Sequence, residues 1–259
     1  MKKTALITGA SSGIGKELAH IHAQKGGDLV IIARNEKKLQ SLKEELETKY
    51  KNKVLVISKD LTLPNAPQEL YDEVHKNNLT IDILINNAGF GGIGMFHKRS
   101  LSDDLAMIQL NIVALTALTH LFLQDFIKNK EGKILNVSST ASLMAGPMQA
   151  VYYATKAYVT SFSNAIAEEQ RDTNITVTNL MPGATDTEFG KISGMDKTAL
   201  FNQTADATSV AKDGYNAMLK GKLDVISGLT FIQKILMPLL PFIPKKLMLS
   251  QIHKNQQEK

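Results

Sequence analysis

Thr8-Gly9-Ala10-Ser11-Ser12-Gly13-Ile14-Gly15 is the stretch on which the reading of this chain turns. It follows a short apolar run at 4–8 and opens a helix-like stretch at 14–25. That context is what a phosphate-binding turn requires. Gly9 permits a tight turn, Gly13 lets a pyrophosphate approach backbone N–H groups, and Gly15 lets helix and strand lie close. Ser11, Ser12 and Ile14 complete the loop. The helix start adds unpaired donors and a partial positive charge.

Outward from this turn the chain alternates. Short β-rich runs at 4–8, 28–33, 53–58, 81–86, 132–138, 175–180 and 223–226 are apolar on both faces, the pattern of parallel strands covered on both sides. Helical spacing of apolar residues occupies 14–25, 36–50, 68–77, 102–129, 151–171 and 209–220, with Asn35 and Ser102 as candidate caps. A repeated strand–helix order with crossover-length connections predicts an α/β fold. It is a doubly wound parallel β-sheet in a single Rossmann-type domain, with helices on both faces. Residues 1–228 form this domain, and 184–206, which break the rhythm, form a lid. Residues 229–259 are an apolar and basic C-terminal extension.

Composition narrows the chemistry. The 259 residues contain no cysteine, which excludes disulfides, thiolate metal sites and cysteine nucleophiles and suits a cytoplasmic location. Six scattered histidines give no metal-ligand spacing, so no metal is expected. The net charge of +5 is diffuse, and the lysines at 37, 38, 43, 49, 51 and 53 read as a solvated face rather than a nucleic-acid site. The apolar Ala5-Leu6-Ile7 is too short for a secretory signal.

The spacing T-G-x-x-x-G-x-G resembles that of the short-chain dehydrogenase/reductase family, and the resemblance covers roughly residues 4–227. It implies a nicotinamide cofactor and an oxidoreductase acting on carbonyl or alcohol groups. At the end of the second strand an acid would accept from the ribose hydroxyls of NAD, whereas an Arg accommodates the 2′-phosphate of NADP. Here Ala33 is followed by Arg34, as in the NADP-preferring branch, so NADP(H) is expected over NAD(H). By the same resemblance Asp60 and Leu61 sit beside the adenine, and Asn86-Asn87-Ala88-Gly89 matches the family's N-N-A-G element.

Tyr152 and Lys156 stand at i, i+4 and share a helix face. A nearby ammonium lowers a tyrosine pKa and makes it a usable acid or base. Tyr153 lacks a lysine at i+4. Ser139 ends a strand and lies 13 residues before Tyr152, the family's separation, which favours it over Ser138. The resemblance makes Tyr152 the proton donor, Lys156 its pKa-lowering and ribose-binding partner, and Ser139 the binder of the substrate oxygen. Asn111, polar in an apolar helix, would hold a water path to Lys156. Met181-Pro182-Gly183 would lie against the nicotinamide, with Thr185 or Thr187 contacting the cofactor; the residues do not decide between the two.

The substrate is less legible. Phe189, Ile192, Met195, Leu200 and Phe201 in the lid suggest a small molecule with an apolar portion. The tail from Phe231, with Lys234, Lys245 and Lys246 and prolines at 238, 241 and 244, is too broken to span a bilayer. It is expected to pack on the domain or a partner, with peripheral membrane contact the lesser alternative. A homo-oligomer, dimer or tetramer, is expected through 102–129 and 151–171. A retired nucleotide sensor would have lost Tyr152 or Lys156. An extended-branch epimerase or dehydratase would carry a different glycine spacing and a longer C-terminal half.

Overall fold

The computed structural model describes residues 2–257 except 231, 232, 234 and 236. Phe231 and Lys234 of the tail, and the side chains of Leu200, Pro238 and Pro241, therefore lie outside the described residues. The strands are β1 (Thr4–Thr8), β2 (Asp28–Ala33), β3 (Val54–Ser58), β4 (Ile83–Asn86), β5 (Gly132–Val137), β6 (Ile175–Pro182) and β7 (Asp224–Ser227). They form one sheet in the order β3-β2-β1-β4-β5-β6-β7, parallel throughout. The order reverses beside β1, so its C-terminal end and that of β4 flank a crevice where such sheets bind ligands.

Helices cover both faces, as the doubly apolar strands require. On one face α1 (Gly13–Gln24), α2 (Glu36–Tyr50) and α8 (Ala207–Leu219) pack on Ile7, Ile31, Ile85 and Leu135. On the other, α3 (Ala66–Lys76), α5 (Leu115–Asn129) and α6 (Ala150–Glu169) pack on Leu6, Val30, Ile32, Leu84 and Ile134. Neighbouring strand residues thus enter opposite cores. Each large side chain buried here, Phe122 for example, contributes about 1.5–3 kcal/mol.

Asn35 caps α2, accepting from the Lys38 N–H at 3.0 Å. The expected cap Ser102 is corrected to Ser100, whose Oγ accepts from the Asp103 N–H, so α4 (Leu101–Ile108) starts before Ser102. The helix expected over 102–129 is helical throughout but changes pitch: a π-helical segment, Gln109–Ala114, joins α4 to α5. Such a segment often marks a functional site.

Beneath the ligand edge runs a polar row. Asn86, Asn136 and Asn179 are in register on β4, β5 and β6. Asn86 donates to Asn136 (2.9 Å) and Thr119 (3.0 Å), Asn136 to Ser163 (2.9 Å), and Asn179 to Asp224 (2.8 Å). Charge-free amides can be buried here because each finds partners across the sheet.

The lid is a loop joined at its base. Thr185 bridges Ala205, and backbone bonds of 2.9 Å tie Asp186 N to Ala205 O and Ala205 N to Ala184 O. It holds α7 (Glu188–Ser193) and two short turns, Met195–Lys197 and Ala199–Phe201. The tail returns over it: α9 (Lys245–Gln256) packs on the Ala199–Phe201 turn, and the buried Gln256 donates to the Tyr153 hydroxyl at 3.0 Å.

Candidate active site

A cavity of about 550 Å³ opens at the C-terminal ends of β1, β4, β5 and β6. At one end lies the glycine turn. Gly13 has φ of +54°, and a Cβ there would meet the Thr187 methyl at 2.9 Å. A Cβ on Gly15 would meet the Gly9 carbonyl oxygen at 2.3 Å, so α1 can approach the turn only without a side chain. The turn is thus a bare backbone cradle at a helix start, the right shape and polarity for a pyrophosphate. Gly9, Ser11, Ser12, Gly13 and Ile14 line the cavity; Gly15 sits behind them as packing.

Arg34, exposed after β2, lines the same end with Lys38 from the first turn of α2. Lys38 donates to Glu188 of the lid at 2.6 Å, which holds the Glu188 carboxyl below its usual pKa. Asp60 and Leu61 also line the wall. Asp60 is partly committed, accepting from the Thr62 N–H at 2.9 Å and its hydroxyl at 2.8 Å. Asn87, Ala88 and Gly89 face the turn from β4. Asn87 donates to the Thr8 and Gly9 carbonyls at 2.9 and 3.1 Å and so braces the cradle.

The two serines separate cleanly. The Ser138 hydroxyl is buried and donates to the Lys156 carbonyl at 2.9 Å, a structural role. Ser139 accepts from the Ala141 N–H at 3.1 Å and hydrogen-bonds the Tyr152 phenol. Tyr152 and Tyr153 diverge likewise: Tyr152 joins Ser139, whereas the Tyr153 hydroxyl goes to Gln256 of the tail.

Tyr152 and Lys156 share the wall, the ammonium 5.9 Å from the ring centre. The expected lowering of the tyrosine pKa is not found. Burial pushes the Tyr152 phenol up, with the Ser139 bond opposing, and pulls Lys156 down to about 8. Desolvation leads in both cases because each side chain is buried, which favours both neutral forms. The Lys156 ammonium donates to the Val137 carbonyl at 2.9 Å.

Asn111 lies in the π-helical segment, behind the wall rather than in it. Its Nδ2 donates to Phe90 O and Thr155 Oγ1, both at 3.0 Å, and its Oδ1 accepts from Phe90 N at 3.2 Å. The extra residue of the segment turns this amide onto the loop after β4. Only bare Gly89 separates it from the lysine, since a Cβ there would lie 3.0 Å from Asn111 Oδ1 and 3.4 Å from Lys156 Nζ.

Pro182, Gly183, Thr185 and Thr187 line the far side. Thr185 is buried and donates to Gly183 O at 2.9 Å. Thr187 caps α7, accepting from the Phe189 N–H at 3.3 Å, and leans on the glycine turn. Beyond Tyr152 the lining is mainly apolar, Met144, Phe189, Ile192, Met195 and Phe201, with Leu229 and Met237 from the tail, and Gln203 and Gln233 line the cavity as well. The Phe189 ring lies 5.6 Å from that of Tyr152. Sequence reasoning missed Lys38 and Gln149 as wall residues. Their signals were position: Lys38 follows cap Asn35 by three, and Gln149 precedes Tyr152 by three. Among the described residues no group of three or more His, Asp or Glu could hold a metal.

The chain is similar to known proteins in sequence and fold. The family model for short chain dehydrogenases matches residues 3–197. An NADP-dependent 3-hydroxy acid dehydrogenase of Schizosaccharomyces pombe is 34% identical over 195 residues, 73% of this chain and 74% of that protein. The mouse 17-beta-hydroxysteroid dehydrogenase type 3 is 35% identical over 206 residues, 77% of this chain and 66% of that protein. A short-chain dehydrogenase from Sphingobium yanoikuyae, solved in complex with NADPH, superposes with a TM-score of 0.83 at 29% identity, covering 95% of this chain and 94% of that one. With the glycine cradle, the Tyr152–Lys156 pair and Ser139 on one cavity, the chain belongs to the short-chain dehydrogenase/reductase family of oxidoreductases.

Proposed function

We propose that the chain moves a hydride between NADP(H) and a carbonyl or secondary alcohol on a largely apolar small molecule. The observation that carries this is the single cavity that runs from the glycine cradle, past Tyr152 and Ser139, into the apolar lid. The cofactor supplies the hydride. Ser139 and Tyr152 donate to the substrate oxygen, where negative charge grows during reduction, and Tyr152 gives up its proton there. Lys156 lies within the same wall to return charge and proton balance to the phenol, and its ammonium also suits ribose hydroxyls. The lid and tail exclude water around these groups and so strengthen each interaction.

Arg34 and Lys38, two cations at the adenosine end, support NADP(H) over NAD(H). So do the NADP-dependent relative from Schizosaccharomyces pombe and the NADPH complex from Sphingobium yanoikuyae. The apolar end agrees with the hydroxysteroid and very-long-chain 3-oxoacyl-CoA names of other relatives. The test is NADPH oxidation against aldehydes, ketones, 3-oxoacyl thioesters and quinones. Failure to oxidise NADPH with any of them would refute the proposal.

The proposal extends to assembly and place. Leu101, Leu105, Val113 and Ile127 are exposed along the 29-residue helical run Leu101–Asn129, and Tyr158 of α6 is exposed beside it. A second copy covering this face would make a dimer or tetramer. Light scattering at micromolar concentration should then exceed the 28.4 kDa of one chain. The cysteine-free composition supports a cytoplasmic location, testable by fractionation. Exposed Leu239, Phe242 and Leu247 beside Lys245 and Lys246 favour, as a second reading of the tail, contact with an anionic membrane surface. Co-sedimentation with phosphatidylserine vesicles tests it.

A further inference from the structure

Three cations line the adenosine end of the cavity: Arg34, Lys38 and Lys59. Lys59 pairs with Glu69 of α3 at 2.9 Å, and Arg34 makes no ion pair among the described residues. Lys38 donates at 2.6 Å to Glu188, which belongs to the lid and lies 150 positions along the chain. Glu188 reaches this end because the base of the lid lies against the glycine turn. Thr187, the residue before it, sits where a Cβ on Gly13 would meet its methyl at 2.9 Å. A second bond holds the same carboxylate. Ser12 occupies the N-cap position of α1, yet its side chain makes no capping bond. Its hydroxyl donates to Glu188 instead. A lid carboxylate thus rests on two groups of the cofactor wall, and all three residues line the cavity. The side chains of the ion pair are 45% and 52% exposed, so the contact is weak enough for another anion to displace.

We infer that Glu188 is a determinant of cofactor specificity, its carboxylate competing with the 2′-phosphate of NADP(H) for the Lys38 ammonium. The inference rests on the NADP(H) reading above and adds a residue that opposes the preference given by Arg34 and Lys38. Its basis is charge. One ammonium shared between a phosphate and a carboxylate leaves the two anions repelling each other. The 2′-phosphate therefore binds at the expense of the ion pair. NADH carries no phosphate there and leaves the pair in place. The same exchange links the cofactor to the lid, because Glu188 opens α7 and Lys38 is one of its two ties to the wall.

The experiment is a set of calorimetric titrations with NADPH, NADH and 2′,5′-ADP, which carries the phosphate without the nicotinamide. The proteins are the intact chain, Glu188→Gln, Lys38→Met and the double variant. Glutamine keeps the size of the side chain and an acceptor for Ser12, and removes only the charge that holds Lys38. In Glu188→Gln, NADPH and 2′,5′-ADP should bind about three- to fivefold tighter, the scale of one half-exposed ion pair. NADH should stay within about 1.5-fold, and the melting temperature without ligand should stay close to that of the intact chain. In the Lys38→Met background the change at 188 should alter no Kd by more than about 1.5-fold, because the competition acts through the ammonium. NADPH binding that is weaker or unchanged in Glu188→Gln would overturn the inference. So would an equal gain for NADH, or a gain that survives Lys38→Met, since the carboxylate would then act as general charge. In each of these cases tighter binding of NADPH than NADH to the intact chain leaves the NADP(H) reading standing. An intact chain that binds NADH the tighter would remove both readings together.

Discussion

Replacing Lys156 with methionine should abolish turnover and yet stabilise the cofactor-free protein at pH 7. The ammonium is buried, and desolvation lowers its pKa from 10.5 to about 8. At 1.36 kcal/mol per pH unit, that difference is about 3 kcal/mol of burial cost while the group is charged. Below pH 8 the lysine is charged in both folded and unfolded chains, and the full cost is present. Between pH 8 and 10.5 the folded state has released the proton that the unfolded state still holds, so stability rises with pH. Above 10.5 both are neutral and the cost is gone. Methionine fills similar space without a charge but loses the 2.9 Å bond to the Val137 carbonyl, about 1.5 kcal/mol while the lysine is charged and about 1 kcal/mol when it is neutral. The net expectation is a gain of about 2 kcal/mol at pH 7. It should shrink through zero between pH 8 and 10.5 and become a loss of about 1 kcal/mol beyond. Tyr152, Tyr153 and Tyr215 are pushed up by burial and ionise later in the folded state. Their effects fall on both proteins and cancel in the difference. Urea unfolding of wild type and Lys156→Met at fixed concentration, in half-unit steps from pH 7 to 10.5, gives that difference directly. A variant less stable at pH 7, with a difference that does not change with pH, would refute the argument that burial sets the lysine's state.

Other expectations follow from single contacts. Arg34→Ala should weaken NADPH binding about 10- to 100-fold, the loss of one charged hydrogen bond or more, and leave NADH within twofold by fluorescence titration. Tyr152→Phe should lose about 10²–10⁴-fold in kcat with NADPH affinity retained, as steady-state rates would read. Tyr153→Phe should keep kcat but lose about 1–3 kcal/mol in urea unfolding, because Gln256 would lose the one side-chain bond it makes among the described residues. Asn136→Ala should cost a similar amount by opening the row between Asn86 and Ser163, with kcat on saturating NADPH unchanged.

The residues that sequence made legible are those whose meaning is local. Gly13 suits glycine through its own φ of +54° and Gly15 through the Gly9 carbonyl that a side chain would meet, and the pattern shows this in eight consecutive residues. The strands could be read because each is apolar at successive positions, and Leu6 and Ile7 do enter opposite cores. Tyr152 could be told from Tyr153 by the lysine one turn on, and the structure separates them as that spacing implies. What could not be read depends on partners far along the chain. Lys38 meets Glu188 at a separation of 150 residues, and Tyr153 meets Gln256 at 103. No periodicity encodes such pairs. The tyrosine pKa was misread for a related reason: spacing reveals that a lysine is near, but only packing reveals that both groups are buried.

The burial of Tyr152 ties the tail to the chemistry. Tyr153 follows Tyr152 on α6, and Gln256 holds it from the end of α9. The same helix packs on the Ala199–Phe201 turn, while Phe201 and Phe189 line the cavity over Tyr152. The Phe189 and Phe201 rings that pack with Tyr152 are thus drawn from the lid, with the tail helix behind them. The sheet fixes where the reacting atoms sit, through the bond of Ser138 to the Lys156 carbonyl and of the Lys156 ammonium to the Val137 carbonyl. The lid and tail fix the medium in which they react. Removing the whole of α9 should therefore return the Tyr152 phenol toward its ordinary range, read as tyrosinate absorbance against pH beside wild type, and an unchanged titration would count against the argument.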